Sequence, residues 1–224
     1  AQIYGIDVVP LTLDLYRQAG MVYYGGGSNL AEARSPAVIE HNGNRLAFVG
    51  CNPSGPDYAW ATESGPGAAP CEDLQWMQAE VARLRQEGIL PIATFQWFEN
   101  YSNSAGPEME RDLRSMAEAG AIIVNGSQAH TPKEMEFHAD SFIHYGLGNL
   151  FFDQMHVDLS YLQIGQEWVP ATRLEFIDRH VIYAGRLIST ELLTAMLEEY
   201  AKPRPMTAEE RAAFLQDIFT AAGW

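Results

Sequence analysis

The chain has 224 residues, of which 47% are apolar and 11% aromatic, so it is long enough to bury the core of about one domain. Its 14 Lys and Arg against 29 Asp and Glu give a formal net charge of −15. This balance argues against non-specific nucleic-acid binding, which needs clustered basic side chains, and against docking on an anionic membrane surface. No apolar run is long enough to cross a membrane, and no signal peptide opens the numbered sequence.

Helix and strand patterns alternate over the first two thirds of the chain. In chain order they predict a helix over 8–19, a strand over 21–25, a hairpin over 37–51, a helix over 72–86, a strand over 89–95, a helix over 107–119 and a strand over 121–125. Asn42-Gly43 marks the hairpin turn, and Pro107 and Gly120 mark the ends of the third helix. Such alternation with short links predicts an α/β fold with a mainly parallel inner sheet.

The pattern changes in the last third. It predicts successive antiparallel strands over 142–145, 159–168, 173–178 and 180–188, then two helices over 190–200 and 207–221 joined by a Pro-rich hinge at 202–205. We therefore expect residues 1–154 to form one part of the domain and residues 155–224 to pack on it as strands and a helical tail.

Two cysteines, Cys51 and Cys71, flank a loop rich in Gly and Pro. A disulfide between them would fit an exported protein, and two unrelated thiols are the alternative. Sequence alone does not give the geometry that decides between these two hypotheses.

Polar and aromatic side chains follow two of the predicted parallel strands, where a ligand site is expected in an open α/β sheet. They are Gln96, Trp97, Glu99 and Tyr101 after the first strand and Gln128 and His130 after the second. His130 is a candidate metal ligand or acid/base, and Glu99 a candidate general acid or base. The alternatives are a structural histidine, a solvated loop carboxylate and, for Trp97 and Tyr101, core packing in place of a stacking platform.

The spacing between His130 and a later Gly- and Asn-containing run resembles a family signature. His130 is followed fifteen residues later by Tyr-Gly-Leu-Gly-Asn-Leu at 145–150, and 96–101 is Gln-Trp-Phe-Glu-Asn-Tyr. These runs resemble the signature of the CapA-like, poly-γ-glutamate capsule-synthesis family, and the likeness extends over about residues 5–154. The resemblance implies a metallophosphoesterase-like αββα sandwich that is incomplete at its amino terminus. It also implies substrate contacts from Gln96, Trp97, Tyr101, Gln128, Glu136, Tyr145 and Asn149.

The departures from that signature concern metal chemistry. Gln96, Ser127 and Gln128 stand where the family has histidines, which leaves His130 as the one expected imidazole for a divalent metal. Glutamine and serine replace imidazole poorly on a transition metal. Three functions therefore stay open: a hydrolase with a degenerate metal site, a non-catalytic module that binds or assembles an extracellular polymer, and a glycan hydrolase that pairs Glu99 with Glu136 or Asp153.

The sequence also suggests a setting and partners. It begins without Met, directly in a domain pattern, so we expect it to be part of a longer protein and to associate with an amino-terminal half, another chain or a second copy. The expected ligand is an extracellular polymer or a small molecule. The expected location is extracytoplasmic, on the cell surface or secreted.

Overall fold

A computed structural model of the chain describes residues 5, 7–152, 161–164, 166–199 and 201–224. Its helices are α1 (Val8–Gln18), α2 (Leu30–Ala33), α3 (Gln75–Gln86), α4 (Pro107–Ala119) and α5 (Ala208–Ala221). Its strands are β1 (Gly26–Gly27), β2 (Ala37–His41), β3 (Asn44–Cys51), β4 (Gly67–Ala68), β5 (Leu90–Gln96), β6 (Ile123–Ser127), β7 (Met135–His138), β8 (Ser141–His144), β9 (Tyr161–Ile164), β10 (Glu167–Pro170), β11 (Leu174–Tyr183), β12 (Arg186–Glu198) and β13 (Lys202–Pro205). The predicted α/β class is confirmed. Among the described residues, no helix has the length and apolar character needed to span a bilayer.

Six strands form the main sheet, in the order β2-β3-β5-β6-β8-β7. The inner four strands β3, β5, β6 and β8 are parallel, and β2 and β7 are antiparallel at the two edges. Because parallel strands end at the same edge of a sheet, the loops after β3, β5, β6 and β8 lie side by side. This edge is where the site residues predicted from the sequence are found.

The two faces of the main sheet bury different cores. Phe95 and Val124 pack with the apolar sides of α3 and α4 on one face. Ile92 and Ile123 lie in a separate cluster on the other face and pack with Ile182 from β11. Alternate residues of a strand point to opposite faces, so this pattern places the antiparallel sheet β11-β12-β13 across the main sheet from the helices.

The carboxyl-terminal region differs most from its prediction. The helix predicted over 190–200 is wrong, because residues 190–198 belong to β12, which pairs with β11 from Leu174↔Met196 to Tyr183↔Arg186. The predicted strand over 180–188 runs across the hairpin turn, where Ala184 has a φ of 49°. The local sequence suits a helix, but pairing along the whole of β11 outweighs that propensity. The predicted hinge is β13, an edge strand, where proline is tolerated.

Further differences are local. No strand forms over 21–25; the nearest is β1, a two-residue ribbon with β4. The strand predicted over 142–145 does form, as β8, but it is parallel to β6 and joins the main sheet. The described part of the strand predicted over 159–168 is two strands, the hairpin of β9 and β10. The last helix is confirmed as α5, and Thr207 and Glu210 form a capping box at its first turn.

Candidate functional site

Three carboxamide side chains follow three neighbouring parallel strands at the carboxyl edge of the main sheet. Asn52 comes directly after β3, Gln96 ends β5 and Gln128 comes directly after β6. Asn52 Nδ2 donates to Gln96 Oε1 at 3.2 Å, and Gln96 Nε2 donates to Gln128 Oε1 at 2.5 Å. Gln128 holds a left-handed φ of 69°, a conformation that costs a non-glycine residue about 1–3 kcal/mol. We call these three residues the amide row.

His130 lies next to the amide row and is held on several sides. Its Nδ1 is 2.8 Å from Asn149 Oδ1, and Asn149 Nδ2 donates to the Thr172 carbonyl at 3.1 Å. The Asn149 oxygen therefore accepts a hydrogen bond from Nδ1–H, and in the neutral imidazole the acceptor lone pair is on Nε2. The imidazole ring contacts the rings of Tyr101 and Phe152, with centroid distances of 6.3 and 4.8 Å. The two ends of the sequence signature, His130 and Asn149, are thus brought into contact.

Glu99 anchors the loop that carries the aromatic residues. Its carboxylate accepts the backbone N–H groups of Asn100 and Tyr101, each at 2.7 Å, and that of His130. Lys133 Nζ lies 3.7 Å from the same carboxylate on a side chain that is only 1% exposed. Burial lowers the pKa of Lys133, and the charge of Glu99 partly offsets this effect. These contacts favour a structural role for Glu99; its predicted catalytic role stays a prediction.

The two aromatic candidates of this loop have different surroundings. Tyr101 stacks on the His130 ring and therefore belongs to the site. Trp97 is partly buried against the core under α3 and α4, and its backbone N–H donates to the Ser127 carbonyl at 3.2 Å. Phe98, at 57% exposure, is the ring of this loop that faces solvent. Core packing thus explains the partial burial of the Trp97 side chain.

Glu136 and Tyr145 lie in a different cluster. Glu136 accepts hydrogen bonds from Arg114 Nε at 2.7 Å and from the Tyr145 hydroxyl. Burial opposes ionisation of Glu136, but the hydrogen bonds from Arg114 and Tyr145 outweigh it and lower the pKa of Glu136. The structure does not bring either residue into the hydrogen-bonded group around His130. Asp153, the other proposed partner of Glu99, lies outside the described residues.

The side chains that the structure describes at this edge do not fit a divalent metal. Within the described ranges, no group of three or more His, Cys, Asp or Glu side chains could hold an ion. The amide row offers neutral carboxamides, and His130 is the one imidazole beside it among the described residues. Transition metals prefer several imidazole, thiolate or carboxylate ligands. This donor set suits hydrogen bonding to a polar ligand better than metal binding.

A disulfide closes the loop that begins at the amide row. Cys51 and Cys71 are bonded, with a Cα–Cα distance of 4.9 Å and a sequence separation of 20. The bond joins the end of β3 to the segment before α3, and the loop between them carries Asn52 and Tyr58. Of the two hypotheses that the sequence left open, the disulfide is the one the structure contains.

Two residues of the site were not found from the sequence. Asn52 follows β3 in the same way that Gln96 ends β5, so the rule that ligands gather at strand ends could have found it. Lys133 carries no such signal. Its burial and its hydrogen bonds to Asn100 Oδ1 and to the Ser102 carbonyl depend on the folded loop.

A comparison with known families identifies the family of this chain. Residues 4–154 match the family described as bacterial capsule synthesis protein PGA_cap. The chain belongs to this family. The match includes the whole amide row, His130 and Asn149, and the predicted resemblance is confirmed.

Individual relatives show how much of a longer protein is covered. The capsule biosynthesis protein CapA of Bacillus anthracis is 29% identical over 154 residues, which are 67% of this chain and 38% of that protein. The PGA biosynthesis protein CapA of Bacillus subtilis is 26% identical over 156 residues, 69% of this chain and 40% of that protein. The chain thus spans about two fifths of the length of these relatives. Among solved structures, sulfate thiohydrolase SoxB of Thermus thermophilus is 16% identical and covers 83% of this chain and 28% of its own, with a TM-score of 0.42.

Proposed function

We propose that this chain binds a polymer of the cell envelope during capsule or poly-γ-glutamate synthesis and acts as a non-catalytic binding or assembly module. The observation that carries the proposal is the amide row, in which three neutral carboxamides hydrogen-bond to one another at the strand ends. Two of them, Gln96 and Gln128, stand where the family resemblance places histidines. The capsule-synthesis family suggests that the ligand is a capsule polymer or poly-γ-glutamate. The carboxamides of the amide row, with His130 as the one imidazole beside them among the described residues, favour binding over metal-dependent hydrolysis.

Neither hydrolase hypothesis gains similar support. A metal-dependent hydrolase needs several charged or imidazole ligands around its ions, and no group of three such side chains occurs among the described residues. At this edge they supply His130 and Glu99, and the Glu99 carboxylate already accepts three backbone N–H groups. A glycan hydrolase needs two facing carboxyl groups, whereas the carboxylates of Glu99 and Glu136 are taken up by different partners. Binding through hydrogen bonds requires neither arrangement.

The test separates binding from turnover. Purified protein is analysed for bound metal, and hydrolysis of a phosphate ester and of poly-γ-glutamate is measured with and without a chelator. Co-sedimentation with poly-γ-glutamate and with capsular polysaccharide measures binding. We expect binding to one of these polymers without turnover, weakened in Gln96→Ala and unchanged in the matched surface variant Gln163→Ala. Stoichiometric metal with chelator-sensitive turnover would contradict the proposal.

A gain-of-ligand variant sharpens this test. Gln96→His combined with Gln128→His places two imidazoles beside His130, where the family resemblance expects them. If the carboxamides are the reason that the edge does not suit a metal, the double variant binds Zn²⁺ more tightly than the wild-type chain in calorimetric titration. Equal Zn²⁺ binding by the two proteins would show that these positions do not control metal binding.

We also propose an extracytoplasmic location and association with another chain. The disulfide supports the location, because disulfides persist in oxidising compartments. Leu11 and Leu15 of α1 support association, since they are 59% and 55% exposed on the same helix. Light scattering tests the second point, and a monodisperse monomer at all concentrations would count against it.

A further inference from the structure

A cavity of about 670 Å³ opens beside the amide row. Asn52 and Gln96 form part of its wall, so the cavity and the amide row share two side chains. Its volume lies within the range of small-molecule sites, about 300–1,000 Å³. Four tyrosines supply most of the remaining side-chain wall: Tyr16, Tyr23, Tyr24 and Tyr58.

The wall of this cavity is uncharged. Among the described residues that line it, none is Asp, Glu, Lys, Arg or His, although the whole chain carries a formal charge of −15. A polyanion bound there would lack paired cations and would be repelled by the protein as a whole. The wall therefore selects for a neutral ligand.

Two of the four tyrosine rings are held by hydrogen bonds, and the other two are exposed to solvent. The Tyr23 hydroxyl donates to Glu32 Oε1 at 2.6 Å, and the Tyr24 hydroxyl lies 3.3 Å from Thr94 Oγ1, so both rings are held in place. Tyr16 and Tyr58 are 38% and 69% exposed, which leaves ring surface for a ligand. Tyrosine rings offer a rigid apolar face at low entropic cost, together with a polar hydroxyl.

The disulfide constrains one side of the cavity. Tyr58 lies in the loop between Cys51 and Cys71, and Gly67 and Ala68 of the same loop also line the cavity. Closing both ends of this loop limits the positions that Tyr58 can take relative to the amide row. A pre-ordered wall of this kind lowers the entropic cost of binding.

We infer that this cavity binds a neutral sugar unit of an oligosaccharide, such as a hexose or an N-acetylhexosamine. The C–H face of a sugar ring packs on tyrosine rings, and its hydroxyl or acetamido groups exchange hydrogen bonds with Asn52 and Gln96. This assignment rests on the proposed binding role of the amide row. It adds the chemical class of the ligand that binds in the cavity beside that row. An envelope polymer with neutral sugar units would present such a ring.

Isothermal titration with two neutral probes, a hexamer of N-acetylglucosamine and a hexamer of glucose, tests the inference; poly-γ-glutamate is the anionic comparison. We expect saturable binding of at least one neutral hexamer. Tyr58→Ala and Gln96→Ala should each weaken it about tenfold or more, the effect of removing one anchoring side chain. Tyr183→Ala, which removes a 74% exposed tyrosine of β11 outside this cavity, should leave it unchanged. Circular dichroism confirms that each variant is folded.

The outcomes distinguish this inference from the proposed function. Binding of poly-γ-glutamate without either neutral hexamer overturns the neutral-sugar inference and leaves the polymer-binding proposal standing. Binding of no polymer and no hexamer overturns both. Hexamer binding that is unchanged in both Tyr58→Ala and Gln96→Ala overturns the assignment to this cavity. Hexamer binding together with chelator-sensitive turnover supports the sugar site and contradicts only the non-catalytic role.

Discussion

Glu175 lies on β11 with its side chain buried, at 1% exposure, and neither carboxyl oxygen has a hydrogen-bond partner within the part of the chain that the structure describes. Its backbone forms a bridge with Gly148, next to Asn149 of the candidate site. Burial raises the pKa of Glu175 from 4.5 to about 7. A buried carboxyl group of this kind makes stability depend on pH, and Glu175→Gln removes the ionisation while keeping the shape.

The sign and size of the effect follow from these two pKa values. Below pH 4.5 the carboxyl group is neutral in both states and contributes no pH dependence. Between pH 4.5 and about 7 the unfolded chain loses the proton while the folded chain keeps it, so stability falls as pH rises. Above about pH 7 the loss is complete and amounts to at most about 3 kcal/mol. The glutamine introduced by Glu175→Gln cannot ionise, so the variant should lack this loss.

Urea unfolding at about pH 4 and about pH 8, followed by tryptophan fluorescence, measures the difference. Between these two pH values, the free energy of unfolding of Glu175→Gln should rise relative to wild type by up to about 3 kcal/mol. Glu167→Gln, which changes an exposed carboxylate of β10, is the control and should follow the wild-type profile. Parallel pH profiles for wild type and Glu175→Gln would refute the reasoning, because the buried carboxyl group would then titrate as it does in the unfolded chain.

Three further predictions concern the site and its support. Cys51→Ala with Cys71→Ala should lower the free energy of unfolding by about 3 kcal/mol, the value for a closed loop of about 20 residues, and equal urea midpoints would contradict this. Asn149→Ala removes the hydrogen bonds of the buried Asn149 amide to the site imidazole and to the Thr172 carbonyl, so it should cost about 1–3 kcal/mol in thermal unfolding and weaken polymer binding. Lys133→Met leaves the Glu99 carboxylate without its buried cation and should cost about 3–5 kcal/mol; a loss below about 1 kcal/mol in urea unfolding would show that the pair does not anchor the loop.

Local chemistry explains the parts of the fold that the sequence predicts well. The helix predicted over 107–119 matches α4 at both ends, because Pro107 suits the first turn and Gly120 adopts a φ of 114° after the last. The hairpin at Asn42-Gly43 forms because both residues tolerate the left-handed conformation, with φ of 48° and 76°. Signals of this kind act within a few residues and need no partner from elsewhere in the chain.

The sequence predicts where on the sheet the site lies, but it does not predict which side chains meet there. The strand-end rule and the family spacing located Gln96, His130 and Asn149, and the last two meet at 2.8 Å. The same reasoning put Glu136 and Tyr145 with them, whereas Glu136 pairs with Arg114 of α4 and holds Tyr145 in another cluster. Which partner a side chain finds depends on neighbouring elements that its own spacing does not encode.

By itself, the sequence determined the α/β class, the parallel order of β5 and β6, the family and the deficit of imidazoles at the sheet edge. Only the tertiary structure decided that residues 190–198 extend a strand, that Cys51 pairs with Cys71, and that Lys133 is buried against Glu99. The physical reason is the sequence separation over which each interaction acts. Caps, turns and residue types are local properties, whereas strand pairing, disulfide geometry and charge burial depend on contacts between residues far apart in the chain.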